Sequence, residues 1–157
     1  MKNLISALNK VTSVSSYEIR LCRTIMTYLE LLYMYYQSAH WQSSGSEFYG
    51  DHLLFQRLYE GLREEIDSVG EKLVGAYGAQ YVNFDLRLAS LERLSDFLTM
   101  PQIQQTYISS AILIENKVIS LLQEVDTGTF SAGIKDLFAG IANTHEGHLY
   151  LLKQRTT

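Results

Sequence analysis

The sequence predicts an all-α chain: a bundle of four long helices, with a long crossover between the second and third that carries a short helix of its own. Three observations predict it. One proline in 157 residues leaves long stretches free to run as helix. Apolar side chains recur at intervals of three and four residues through four long segments. Short clusters of Ser, Gly, Asp and Thr separate those segments, except after the second, where the stretch 79–100 intervenes.

The first helix opens at Ser15-Ser16-Tyr17-Glu18, which reads as a capping box of Ser15 with Glu18. Ile19, Cys22, Ile25, Leu29, Leu32 and Tyr36 then mark one stripe to about Gln42, and His40 is the next position on it. Ser43-Ser44-Gly45-Ser46 breaks the pattern, and Ser44 with Glu47 offers a second capping box. A second helix runs from about Ser46 to Tyr77 and stops at Gly78, its stripe being Phe55, Leu58, Leu62, Ile66, Val69 and Leu73. A shorter helix lies near Asp85–Phe97. Pro101 suits the first turn of a third long helix ending near Val125, where a ring that fixes φ and lacks an N–H costs nothing. Asp126-Thr127-Gly128-Thr129 is a loop, and a fourth helix runs from about Ala132 to Gln154. This order is that of ferritin-like folds. With no internal repeat or low-complexity tract, residues 1–157 read as a single ferritin-like domain with a short N-terminal tail, 1–15. Other all-α bundles share the coarse pattern, so architecture alone does not fix function.

Apolar residues make up 46% of the chain, which places it among globular proteins. The net charge is −4, with 13 basic residues spread along the sequence, which argues against a basic nucleic-acid-binding body. The first ten residues offer only Lys2 and Lys10 as a DNA-binding arm. Cys22, the only cysteine, sits on the core stripe and reads as structural; no intrachain disulfide is possible. The N-terminus lacks a signal-peptide apolar region, and no apolar run reaches about 18 residues. The expectation is a cytoplasmic protein in a reducing compartment, with no membrane association.

The candidate chemistry lies in His40, His52, Asp67 and Glu71, which are 12, 15 and 4 residues apart. Asp67 and Glu71, at i and i+4, point the same way on a helix, and His52 falls on that face. Yet His52 and Asp67 are separated by roughly 22 Å of helix, at 1.5 Å per residue. One chain cannot place them around one ion. A two-fold axis near residue 60 would lay two copies antiparallel, bring His52 of one to Asp67 and Glu71 of the other, and do so twice. His40 can join His52 across the turn. Two imidazoles and two carboxylates suit Fe(II), and also Zn(II), Mn(II) or Co(II). Taken singly, each residue has a plainer reading: a core histidine, a surface histidine and a solvated acid pair. The in-bundle dinuclear site of ferritin-like proteins is not expected, because the chain has no Glu-x-x-His, although Glu30 and Glu115 are candidate inward carboxylates.

His40-Trp41-Gln42, then Gly45, Phe48, His52, Phe55, Tyr59, Asp67 and Glu71, resembles the signature of the Dps family, the mini-ferritins or DNA-binding proteins from starved cells. Ile134-Lys135-Asp136-Leu137-Phe138 and His145-Glu146-Gly147-His148-Leu149-Tyr150-Leu151-Leu152 are similar to the family's closing helix, where tryptophan is common at the place of Tyr150. The resemblance spans about residues 16–154. It implies a hollow homo-dodecamer with ferroxidase sites at two-fold interfaces, His40 and His52 coming from one subunit and Asp67 and Glu71 from its mate. It implies oxidation of Fe(II) by hydrogen peroxide or oxygen, storage of ferric mineral, and protection against oxidative stress. Trp41 is placed to carry electrons, or to pack in the interface. Asp126 and Asp136 correspond to a negative three-fold pore. His145 and His148, at i and i+3, could bind metal as a pair but read more simply as packing or interface residues. In two places the chain departs from the family pattern. Gln56 stands where many members carry an acid, which weakens a second metal position, and Gly70 replaces the usual alanine. DNA binding is expected to be weak or absent. The alternatives are a non-enzymatic Dps-like shell that binds or compacts DNA, and an assembly with a degraded metal site.

Overall fold

The computed structural model describes residues 16–98 and 107–156. Among them are five α-helices and no strand: α1 (Ser16–Gln42), α2 (Phe48–Tyr77), α3 (Phe84–Leu98), α4 (Tyr107–Thr127) and α5 (Ala132–Gln154), with a 3-10 turn at Ala79–Tyr81. The expected tail 1–15, the Ser15 cap and the Pro101 helix start lie outside the described residues. The four long helices and the crossover helix otherwise fall where the periodicity put them.

α1 packs most extensively on α2, and α4 on α5, so the chain forms two helical hairpins. Side-chain bonds fix how the hairpins dock. Tyr17, near the start of α1, bonds Glu124 near the end of α4, and Tyr35, near the end of α1, bonds the Tyr107 carbonyl at the start of α4. Arg155, capping the end of α5, pairs with Asp51 at the start of α2. Hence α1 runs against both α2 and α4, and α5 runs against α2. The directions are up, down, down, up, which is why a crossover is needed between α2 and α4. That crossover holds to α1 through Arg87 of α3, whose guanidinium pairs with the buried Glu30.

The core is built from the predicted stripes. Cys22, Ile25, Leu29, Leu32 and Tyr36 of α1 and Phe55, Leu58, Leu62, Val69 and Leu73 of α2 are all buried; Ile19 and Ile66 are half-buried at the margin. α4 contributes Ala111, Val118 and Leu122, and α5 contributes Ile134, Phe138, Ile141 and Leu152. Burying each such large aliphatic side chain is worth about 1.5–3 kcal/mol. Cys22 is only 1% exposed, and burial pushes its thiol up to about 12. The structural role read for it therefore holds.

The turn between α1 and α2 corrects one expectation. The Ser44–Glu47 capping box does not form: Glu47 is the N-cap residue and makes no side-chain capping bond. Instead Gly45 takes φ +82°, a conformation that favours glycine, and its carbonyl accepts the Phe48 N–H at 3.2 Å. The backbone closes the turn itself, and α2 starts at Phe48, two residues later than the sequence suggested.

Candidate metal centres

His40 is carried on the last turn of α1 and His52 on the second turn of α2, and the glycine turn folds one over the other. Their rings stack with centroids 3.7 Å apart. His40 Nδ1 lies 2.8 Å from the His52 carbonyl, and His52 Nδ1 lies 2.9 Å from the His40 carbonyl. A carbonyl only accepts, so each Nδ1 carries the proton and donates. Each ring is thereby fixed as the tautomer whose Nε2 holds the lone pair a metal needs. The two bonds orient both imidazoles through backbone alone. Phe48 and Tyr59 flank the pair, with centroids 5.0 Å from His52 and 5.5 Å from His40. His40 is buried and His52 half-buried.

Asp67 and Glu71 lie on the same unbroken helix as His52, both exposed. They line an open groove of about 1100 Å³ with Glu60, Glu64 and Arg63. The described chain therefore brings His40 to His52 and Asp67 to Glu71, but does not bring the two pairs together. Gln56 donates its amide to Glu60 at 2.7 Å, so a carboxylate stands one turn beyond the position where the family pattern has one. Trp41, the residue after His40 on α1, is 70% exposed. Asp126 and Thr127, expected in the loop, instead form the end of α4, whose hydrogen bonding runs on to Thr127; Asp126 there and Asp136 in α5 are both exposed, and Lys135 Nζ donates to the Asp126 carbonyl at 2.7 Å.

A second cluster lies in the bundle core, and the sequence only half revealed it. Glu115 of α4 and His145 of α5 are fully buried, and His148 is 9% exposed. His145 Nδ1 lies 2.5 Å from one Glu115 oxygen, while its Nε2 lies 3.1 Å from Glu65 of α2. The Tyr36 hydroxyl of α1 donates to the other Glu115 oxygen. Burial opposes the charge on His145, but the hydrogen bonds to Glu115 and Glu65 outweigh it and hold its pKa up at about 9. Burial likewise opposes the Glu115 carboxylate, yet His145, His148 and Tyr36 bring it down to about 2. His148 Nδ1 lies 3.4 Å from the Glu115 oxygen that accepts from Tyr36, and makes no hydrogen bond. The metal-capable atoms of Glu115, His145 and His148 all lie within 4.8 Å of one another. Glu115 was legible as an inward carboxylate. His145 and His148 turn out to face the core, and the signal for it was their place on the α5 stripe Phe138, Ile141, His145, His148, Leu152.

No family model matches the chain. Nutrient stress-induced DNA-binding proteins of Synechococcus sp. and Nostoc sp. are each 27% identical to it. The first matches over 122 residues, 78% of this chain and 69% of the relative; the second over 92 residues, 59% of this chain and 46% of the relative. Among solved structures, Dps from Thermosynechococcus elongatus superposes with a TM-score of 0.74 at 20% identity, covering 93% of this chain and 96% of that one. A Mycobacterium smegmatis Dps1 variant gives 0.69 at 16% identity, covering 92% and 100%. A Vibrio cholerae O1 Dps, described as a member of a broad superfamily of ferritin-like diiron-carboxylate proteins, gives 0.55 at 17% identity, covering 88% of each chain. The bundle is ferritin-like, and in both its sequence relatives and its fold the chain is Dps-like.

Proposed function

We propose that the chain is a mini-ferritin. Twelve copies enclose a hollow shell, oxidise Fe(II) at sites between subunits and store the ferric product inside. The observation that carries this reading is the stacked His40–His52 pair, whose two backbone bonds leave the lone pair of each Nε2 free, while among the described residues no carboxylate joins the pair in a three-ligand group. Asp67 and Glu71, exposed further along α2, are the carboxylates a two-fold partner would supply. The division of labour follows from charge. The imidazoles bind Fe(II) as neutral borderline ligands, and the carboxylates stabilise the Fe(III) that forms. Two Fe(II) ions give one electron each to a peroxide, which takes up two protons and leaves as two waters. Trp41 stands beside the site as a relay, and Asp126 and Asp136 line the entry route by which a negative funnel gathers cations. The Gln56–Glu60 pair makes the second iron position the weaker one.

The names of the two curated relatives favour a second reading, a shell that binds DNA. The acidic net charge weighs against it. Phosphate-driven binding by so few cations fades as salt rises, so no retardation of DNA is expected at about 0.15 M salt.

Subunit mixing tests the shared site. His52→Ala shells and Asp67→Asn shells, each checked for assembly, should oxidise Fe(II) slowly. The loss should at least match the about 10–100-fold drop that follows removal of an outer-shell partner at metal sites. In a mixed dimer one site carries both lesions and the other carries none. Exchanged mixtures should therefore recover part of the activity. If subunit exchange is verified and nothing returns, the ligands are not shared between chains.

A further inference from the structure

The geometry points to a second metal site, inside the bundle of each chain, in which Glu115, His145 and His148 hold one borderline divalent cation of the Zn(II), Co(II) or Fe(II) class. It is independent of the inter-subunit reading, because it uses none of those residues.

Three features of the core argue for an ion. The donors come from two helices and converge: one Glu115 oxygen lies 2.5 Å from His145 Nδ1 and the other 3.4 Å from His148 Nδ1, and one metal-capable atom of each residue lies within 4.8 Å of the other two. An ion at about 2.0–2.2 Å from each donor spreads neighbouring donors to about 3.3 Å. The Glu115–His145 contact must open by less than about 1 Å to admit it. The far nitrogen of His145 faces Glu65 at 3.1 Å. A carboxylate behind a histidine fixes the ring and raises its basicity, the arrangement that accompanies ligating histidines. Finally, His148 Nδ1 is buried without a hydrogen-bond partner. The Glu115–His145–Glu65 chain is complete without His148, and an unanswered buried nitrogen costs about 1–3 kcal/mol. A cation at the centre answers it.

Binding is an exchange. The cation takes the place of the proton that His145 Nδ1 shares with Glu115, and that proton leaves to solvent. The Nε2–H stays on Glu65, and no electron moves. Two nitrogens and one carboxylate oxygen leave a further position on the ion for water or the Tyr36 hydroxyl, which already contacts Glu115.

The test uses the 157-residue chain, stripped by chelator, with His52→Ala, Asp67→Asn and Glu71→Gln together to remove three of the four proposed inter-subunit ligands. Co(II) is added, and binding is followed by equilibrium dialysis and visible absorption. One Co(II) per chain is expected, with the absorption bands of a nitrogen- and oxygen-ligated ion. His148→Gln in the same background should weaken binding about tenfold or more. A folded background protein that takes up no Co(II), or equal uptake with His148→Gln, overturns the site. Should His148→Gln not fold, anomalous diffraction at the cobalt edge from crystals of the background protein decides. A peak between Glu115 and His148 supports the site; a peak elsewhere, or none, overturns it. An inactive wild type would sink the ferroxidase reading and leave these outcomes unchanged.

Discussion

Glu115 and His145 are both enclosed completely, and neither could keep its charge there alone. Their mutual support makes the stability of the metal-free protein depend on pH in a definite direction. The raised pKa of His145 gives a contribution complete below its ordinary 6.5 and lost as the pH rises through about 9. The lowered pKa of Glu115 gives one complete above its ordinary 4.5 and lost as the pH falls through about 2. Tyr36, Glu65 and His148 are the other polar groups facing the pair. Chelator-treated protein should therefore melt at higher temperature near pH 6 than near pH 9. Glu115→Gln should shrink that difference and lower stability by about 3 kcal/mol, since it leaves the buried His145 cation without its closest carboxylate. Calorimetry showing the same pH dependence in both proteins would contradict this account. Part of the cluster was legible beforehand. Glu115 follows Ala111 and precedes Val118 and Leu122 at intervals of three and four, which marks it as inward. Which α5 residue it would meet was not legible, because periodicity fixes the face of a helix but not its register against a neighbour.

Among the elements, α2 carries most of the functional load and also an anomaly. Gly50, Gly61, Gly70 and Gly75 all lie within its 30 residues, where glycine costs about 1 kcal/mol each relative to alanine. At Gly70 a Cβ would meet only the end of the flexible Met26 side chain, at an ordinary 3.5 Å. Gly70→Ala should therefore stabilise the chain by about 1 kcal/mol. The denaturation midpoint should rise with an unchanged slope, and a fall in midpoint would mean that the position needs glycine for a contact outside the single chain. The C-terminus of α2 was readable because Tyr77 precedes Gly78, whose φ of +108° suits no other residue as well. Its N-terminus was misread by two residues, since a turn closed by backbone bonds leaves no side-chain signature.

At the level of the whole molecule, the up-down-down-up bundle was predictable from segment lengths, because only a crossover can join α2 to a parallel α4. The proposed quaternary arrangement rests on distance along α2 and on the family resemblance. The surface beside the histidine pair fits that argument: Trp41, Phe48, Tyr49 and Leu53 are 70%, 45%, 73% and 44% exposed in the single chain. So much apolar surface in one neighbourhood marks a contact region. Light scattering at micromolar concentration should report a closed particle twelve times the 17.9 kDa chain. A monomer under those conditions would remove the basis for shared sites.

Trp41 is also the only tryptophan in the sequence, so the chain carries a single indole at the place where copies are proposed to meet, and excitation at the red edge of its absorption selects it over the eleven tyrosines. Its emission colour reports the polarity around one indole per subunit, with no label. Dilution of the shell can be followed as a red shift when the indole passes from protein to water. A paramagnetic ion arriving at the stacked histidines next to it would darken the same signal without shifting it. Assembly and metal loading thus have separable optical signatures, written by the position of one side chain.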